Sequence, residues 1–75
     1  MTFETVRDTL AEQFEIDPSE ISMDTNLIDD IGADSLDVVE LIMSLEDNYG
    51  IRISDDDAVN FVTVLKIVDY IERMQ

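Results

Sequence analysis

The chain has no cysteine and no histidine. The first absence rules out disulfides, thiolate metal sites and cysteine nucleophiles, and the second removes the commonest general base and the commonest metal ligand. Cations are scarce: Arg7, Arg52, Lys66 and Arg73 stand against nineteen Asp and Glu, for a formal net charge of −15. Such a surface repels nucleic acid phosphates and anionic lipid head groups, so the expected partners are basic protein surfaces, with no nucleic acid and no membrane. The same self-repulsion opposes the compact state at low ionic strength, and salt or divalent cations are expected to stabilise it. Glycine and proline are few, two and one, while 45% of the residues are hydrophobic, so the chain can bury apolar surface despite its charge. Seventy-five residues suit one domain, 1–75, and one small core, too little for a core plus a self-contained catalytic cleft. A monomer is expected. Met1-Thr2-Phe3-Glu4 opens an acidic amphipathic pattern without a basic leader, and no apolar run has membrane-spanning length, so the expected compartment is the cytoplasm.

Apolar periodicity supplies the elements. Phe3, Val6, Leu10 and Phe14 recur at helical spacing, with Thr2 placed to cap and Asp17-Pro18 to stop the pattern. Val38, Leu41, Ile42, Leu45 and Tyr49 form a second stripe, opened by Asp34 as N-cap and closed by Gly50, suited to a left-handed cap. Ser54-Asp55-Asp56-Asp57 resembles a capping box and predicts a short helix through about Asn60. Thr63 can cap a last helix whose buried stripe is Val64, Ile67, Val68, Ile71 and Met74. Residues 15 to 33 exceed the ~12–15 residues at which a loop in a compact domain usually carries function. Ile16, Ile21, Met23, Leu27, Ile28 and Ile31 punctuate that stretch and should pin it along the bundle. The expected fold is all-α: a small four-helix bundle of three longer helices plus one short helix, with a long loop between the first and second helices.

One serine carries the chemical interest. A helix beginning at Asp34 or Ser35 puts the Ser35 hydroxyl among unpaired N–H groups, where a covalently attached phosphate is electrostatically welcome. Gly32 allows a turn closed to other residues and a close approach by another protein. Asp34, Asp37 and Glu40 partly oppose an added negative charge, and Asp34-Ser35 taken alone reads first as an N-cap pair opening an ordinary helix. The wider stretch Asp29-Asp30-Ile31-Gly32-Ala33-Asp34-Ser35-Leu36-Asp37 resembles the modification motif of bacterial acyl carrier proteins. The similarity runs on through Val39-Glu40-Leu41, Leu45-Glu46, Ile53-Ser54-Asp55 and Val64 to Asp69-Tyr70-Ile71, nearly the whole chain. That resemblance implies that Ser35, flanked by Asp34 and Leu36, accepts 4'-phosphopantetheine from coenzyme A through a phosphopantetheinyl transferase. It further implies that acyl groups ride on the arm's thiol between enzymes of fatty acid biosynthesis.

The second helix holds more apolar residues than one buried face can use. Leu36, Val39 and Met43 make another row beside Asp37, Glu40 and Asp47, and read as a greasy docking patch rimmed by carboxylates that steer basic partners. Packing under the long loop is the alternative for part of that row, and is expected of Leu36. Ile28, Leu45, Ile53, Ala58, Phe61 and Ile67 are candidates to line a cavity for the acyl chain, and equally candidates for plain core. Phe61 is bulkier than the aliphatic residue usual there in the family, and Ile67 replaces what is often a smaller one, so the resemblance leaves the cavity's depth open. Glu4, Asp8, Glu12 and Glu15 read as a solvated face. Asp24, Asn26 and Asp30 invite a calcium reading, but an EF-hand loop wants Gly and Glu where this chain has Asp29 and Ser35, so no metal site is expected.

Three rivals stand beside this reading. One is a specialised carrier of polyketide, aminoacyl or D-alanyl groups, and another an acidic helical adaptor that is never modified. The third is an enzyme with Ser35 as nucleophile; without histidine, and with Lys66 as the only lysine on the distant last helix, catalysis by the chain itself is not expected.

Overall fold

The structure is a computed structural model and describes residues 2–74. The first helix, α1, runs Thr2–Phe14 and buries Val6, Leu10 and Ala11. Thr2 already lies inside the helix, so it is not the cap its sequence position suggested; Met1 lies outside the described residues. The helix ends earlier than Asp17-Pro18. Glu15 turns left-handed at φ 56°, and the Ile16 N–H closes back onto the Ala11 carbonyl at 3.0 Å. A non-glycine residue in that region costs roughly 1–2 kcal/mol, which the half-buried Ile16 beyond it helps to offset. Asp17 and Pro18 instead start a single 3-10 turn over Pro18–Glu20, where Asp17 Oδ1 accepts from the Ser19 N–H at 2.9 Å.

The second helix, α2, spans Ser35–Tyr49 and presents Leu41 and Leu45 to the core. A short helix, α3, covers Asp55–Ala58, with Ser54 Oγ accepting from the Asp57 N–H at 3.2 Å. It stops two residues before Asn60, and turns carry the chain on to Val62, because no apolar period holds a further helical turn against the core. The last helix, α4, spans Val64–Met74 and buries Val64, Ile67, Val68 and Ile71. Met74, assigned above to that stripe, is about half exposed at the helix end, past the reach of its partners. The described residues thus hold four helices and no strand, the all-α architecture expected.

The long connection is held by backbone as much as by side chains. Ile21, Leu27 and Ala33 are buried, and Asn26 forms an isolated antiparallel bridge with Thr63. Around it the Leu27 N–H donates to the Val62 carbonyl at 2.8 Å, Val64 to Thr25 at 3.1 Å and Leu65 to Met23 at 3.0 Å. Asn26 Oδ1 accepts from the Ile28 and Asp29 N–H groups, and Asp30 Oδ2 from the Asn26 N–H. This knot turns Ile28 outward; at 56% exposure it is not the anchor its side chain suggested.

Candidate functional site

Each residue of the approach to Ser35, from Gly32 to Asp34, spends its backbone N–H on a hydrogen bond. The Gly32 N–H donates to the Ile28 carbonyl at 3.1 Å, and Gly32 sits at φ 80°, a conformation that side chains strain to adopt even though a Cβ there would meet nothing. Ala33 follows, buried, with its N–H on the Leu27 carbonyl at 2.9 Å. Asp34 then caps α2 with a reciprocal box: its Oδ1 accepts from the Asp37 N–H at 2.9 Å, and Asp37 Oδ2 accepts from the Asp34 N–H at 3.1 Å. From α1, Gln13 Nε2 donates to the Asp37 carbonyl at 2.8 Å and ties this first turn to the neighbouring helix.

Ser35 is the first residue of α2 and is solvent-exposed. Asp37 and Val38 spend their N–H groups on Asp34, whereas the N–H groups of Ser35 and Leu36 have no partner among the described residues. An exposed hydroxyl therefore stands beside two free donors at the positive end of a fifteen-residue helix. A phosphate there gains only about 0.3–1 kcal/mol from the helix, with Asp34, Asp37 and Glu40 opposing it. The terminus orients such a group more than it attracts one.

Along α2, Leu36, Val39 and Met43 are 66%, 51% and 59% exposed and share the surface with Glu40 and Asp47. Leu36 does not pack under the long loop, which is stitched to the start of α4 instead. Asp37 is half-buried and committed to the capping box.

An apolar groove of ≈250 Å3 opens beside Ser35, with Ile28, Val38, Val39, Ile42, Ala58 and Phe61 on its walls. Of the six cavity candidates, Ile28, Ala58 and Phe61 lie on it; Leu45, Ile53 and Ile67 are buried in the core away from it. Val59 and Val62 also line it and escaped the sequence reading, because they flank Phe61 in a stretch with no helical or strand period. Behind the groove the Tyr70 hydroxyl donates to Asp57 Oδ2 at 3.0 Å, and partial burial, then this bond, holds the phenol above its usual range. A larger hollow of ≈470 Å3 between α1 and α2, lined by Thr9, Glu12, Gln13, Glu40, Ser44, Asp47 and Asn48, is polar and does not include Ser35.

Residues 4–71 match the family described as a phosphopantetheine attachment site. The acyl carrier protein of Clostridium acetobutylicum is 49% identical over 72 residues, covering 96% of this chain and 94% of its own, and that of Campylobacter concisus 44% identical over 72 residues with the same coverage. The chain belongs to the acyl carrier protein family. The carrier superposes with a TM-score of 0.93 on a Mycobacterium tuberculosis protein ascribed to the acyl carrier proteins, 32% identical and covering 100% of both chains. The acyl carrier protein of Enterococcus faecalis gives 0.85 at 35% identity, covering 99% of this carrier and 94% of its own chain. Relatives of this carrier hold groups rather than transform them, and the family's cofactor is 4'-phosphopantetheine. The described residues fit that group: a phosphate needs a hydroxyl in reach and donors beside it, and an acyl-bearing arm needs nearby apolar shelter. The first turn of α2 and the groove offer all three.

Proposed function

We propose that Ser35 is the attachment residue for 4'-phosphopantetheine and that the carrier delivers acyl thioesters between enzymes of fatty acid biosynthesis in the cytoplasm, as a monomeric 75-residue domain. The observation that carries this reading is the exposed Ser35 hydroxyl between a fixed Gly32-Ala33-Asp34 approach and two unpaired helix N–H groups, with an apolar groove at its side. In the attachment step a phosphopantetheinyl transferase takes the Ser35 proton, the serine oxygen bonds to the β-phosphorus of coenzyme A, and the phosphoanhydride bond breaks to release adenosine 3',5'-bisphosphate. When bound, the group supplies the thiol that a chain without cysteine cannot, and acyl groups are held on it as thioesters.

The chain's own residues do the rest. Asp34 and Asp37 keep the first turn wound so that Ser35 stays at the surface. Leu36, Val39 and Met43 give partner enzymes an apolar contact small enough to release, while Glu40, Asp47 and the −15 net charge draw basic surfaces to it. Among the described residues no helix is long and apolar enough to cross a membrane. The test is incubation with coenzyme A and a phosphopantetheinyl transferase, followed by intact-mass measurement. Wild type should gain one phosphopantetheine and Ser35→Ala none; an unmodified wild type sinks the proposal. Transfer of malonyl and acyl groups by fatty acid synthesis enzymes then tests the pathway, and a modified carrier those enzymes refuse belongs to another assembly line.

A further inference from the structure

Between the buried Ala33 and the buried Leu41 the chain passes through residues 34–40 without burying a side chain; Asp37 and Val38 are half-buried and the others exposed. Ser35 therefore rides on a first turn of α2 that the core grips only through Val38. The capping box joins Asp34 to Asp37, both within that turn, so it sets the turn's shape and not its place. Towards α1 the polar hollow of ≈470 Å3 parts the two helices, with Thr9 and Glu12 on one wall and Glu40, Ser44 and Asp47 on the other. Little apolar packing spans it. Gln13 does cross from α1, its Nε2 donating to the Asp37 carbonyl at 2.8 Å, and among the described residues this is the one hydrogen bond between α1 and α2. The sense of the bond is fixed because a carbonyl only accepts, and its second lone pair leaves the helix's own bonding intact.

We propose that Gln13 is a positioning residue for Ser35: by holding the Asp37 carbonyl it sets the tilt of the first turn of α2 against α1, and so where the hydroxyl stands when a transferase delivers the arm. The inference rests on the reading of Ser35 as the attachment residue. Without the bond the turn keeps its cap but loses its bearing on α1, and the hydroxyl meets the coenzyme A phosphorus over a wider range of angles. Misplacing a nucleophile slows the transfer itself. Docking suffers less, because Val39, Glu40 and Met43 lie beyond that turn.

The test uses the full chain. Gln13→Met keeps the length and drops the donor, and Gln13→Glu keeps the shape and sets an acceptor against an acceptor. Single-turnover loading of Ser35, with transferase in excess and coenzyme A saturating, yields a plateau rate that reads the transfer and a half-saturating concentration that reads docking. The plateau rate should fall about two- to tenfold in both variants, the worth of one neutral hydrogen bond, while half-saturation of Gln13→Met stays at the wild-type value. Glu12→Gln, on the same hollow but with no hydrogen bond to α2 among the described residues, should keep the wild-type plateau. Backbone order parameters at Ser35 and Leu36 should drop in both Gln13 variants and hold at Leu41 and Leu45. Wild-type plateau rates in both variants overturn the inference, as does a loss confined to half-saturation with a lower Tm, since weaker folding would then be the cause. A fall in Glu12→Gln equal to that in Gln13→Met also overturns it, by assigning the effect to the hollow and not to the bond. A wild type that takes no arm is a different result: it removes the attachment reading and with it this use of Gln13, and the order parameters then report the tie to α1 alone.

Discussion

Replacing Asp34 isolates what holds the first turn of α2. Its carboxylate accepts the Asp37 N–H at 2.9 Å, and Asp37 answers on the Asp34 N–H at 3.1 Å. Asp34→Ala deletes the first bond and leaves the second, and loss of an N-cap side chain costs about 0.5–2 kcal/mol, typically ~1. In a domain of this size each kcal/mol moves Tm by roughly 4–8 °C. Charge confounds the comparison, because removing one carboxylate from a chain of net charge −15 also relieves repulsion. Asp34→Asn separates the two effects: it loses the same charge, yet asparagine caps as well as aspartate. Asp34→Ala is therefore expected to melt about 4–8 °C below Asp34→Asn in calorimetry at moderate salt, whatever the sign of the charge effect common to both. The alanine variant should also accept phosphopantetheine more slowly, since Ser35 is the next residue and shares the frayed turn. Equal melting of the two variants would refute the argument that the box positions Ser35.

Magnesium or added salt should raise Tm, with most of the gain complete once the screening length falls to about 10 Å near 0.1 M; an unchanged melt would show that the surface charge does not oppose folding. Asp17 titrates below its ordinary range because of the hydrogen bonds from Ser19, first the backbone N–H and then the hydroxyl. Its folded pKa is the lower one, so its contribution is present above about pH 4 and fades as pH falls through the depressed value. The gap in Tm between wild type and Asp17→Asn should follow that course, and a gap that widens on acidification would contradict it. Glu40→Lys should slow association with a basic partner enzyme most at low salt while raising Tm there, because it takes two units off the net charge of −15 at an exposed position; stopped-flow binding and melts across ionic strength check this.

The sequence made some elements plain and hid others for physical reasons. Asp34 and Gly50 bracket α2 through chemistry local to a few residues: a carboxylate capping its own helix and a left-handed turn at φ 64° with its N–H on the Glu46 carbonyl at 2.8 Å. The stripe Val64, Ile67, Val68, Ile71 follows from one period on one face. The path of residues 15–33 had no such signal. Its hydrogen bonds reach residues 62–65, far along the chain, and the outward turn of Ile28 depends on Asn26 bonding the backbone beside it. The fate of the apolar residues was unreadable for the same reason. Leu36 and Leu45 look alike in sequence, yet the first is exposed beside Ser35 and the second sealed in the core. The place of Ser35 at the start of α2 was legible from Asp34; the groove beside it was legible only through Ile28, Ala58 and Phe61, because Val59 and Val62 reach it from turns whose geometry only the folded chain sets.

The backbone bonds joining residues 23–27 to residues 62–65 bear on when this protein becomes competent during its own synthesis. Until residues 62–65 are made, residues 23–27 lack their hydrogen-bond partners there, and Leu41 and Leu45 lack Val64 and Ile67, members of the same buried core. Short of residue 62, Ser35 therefore follows a connection that lacks those bonds. On the attachment reading proposed above, a chain cut off before residue 62 should therefore be a poor substrate for the transferase and stay without the arm.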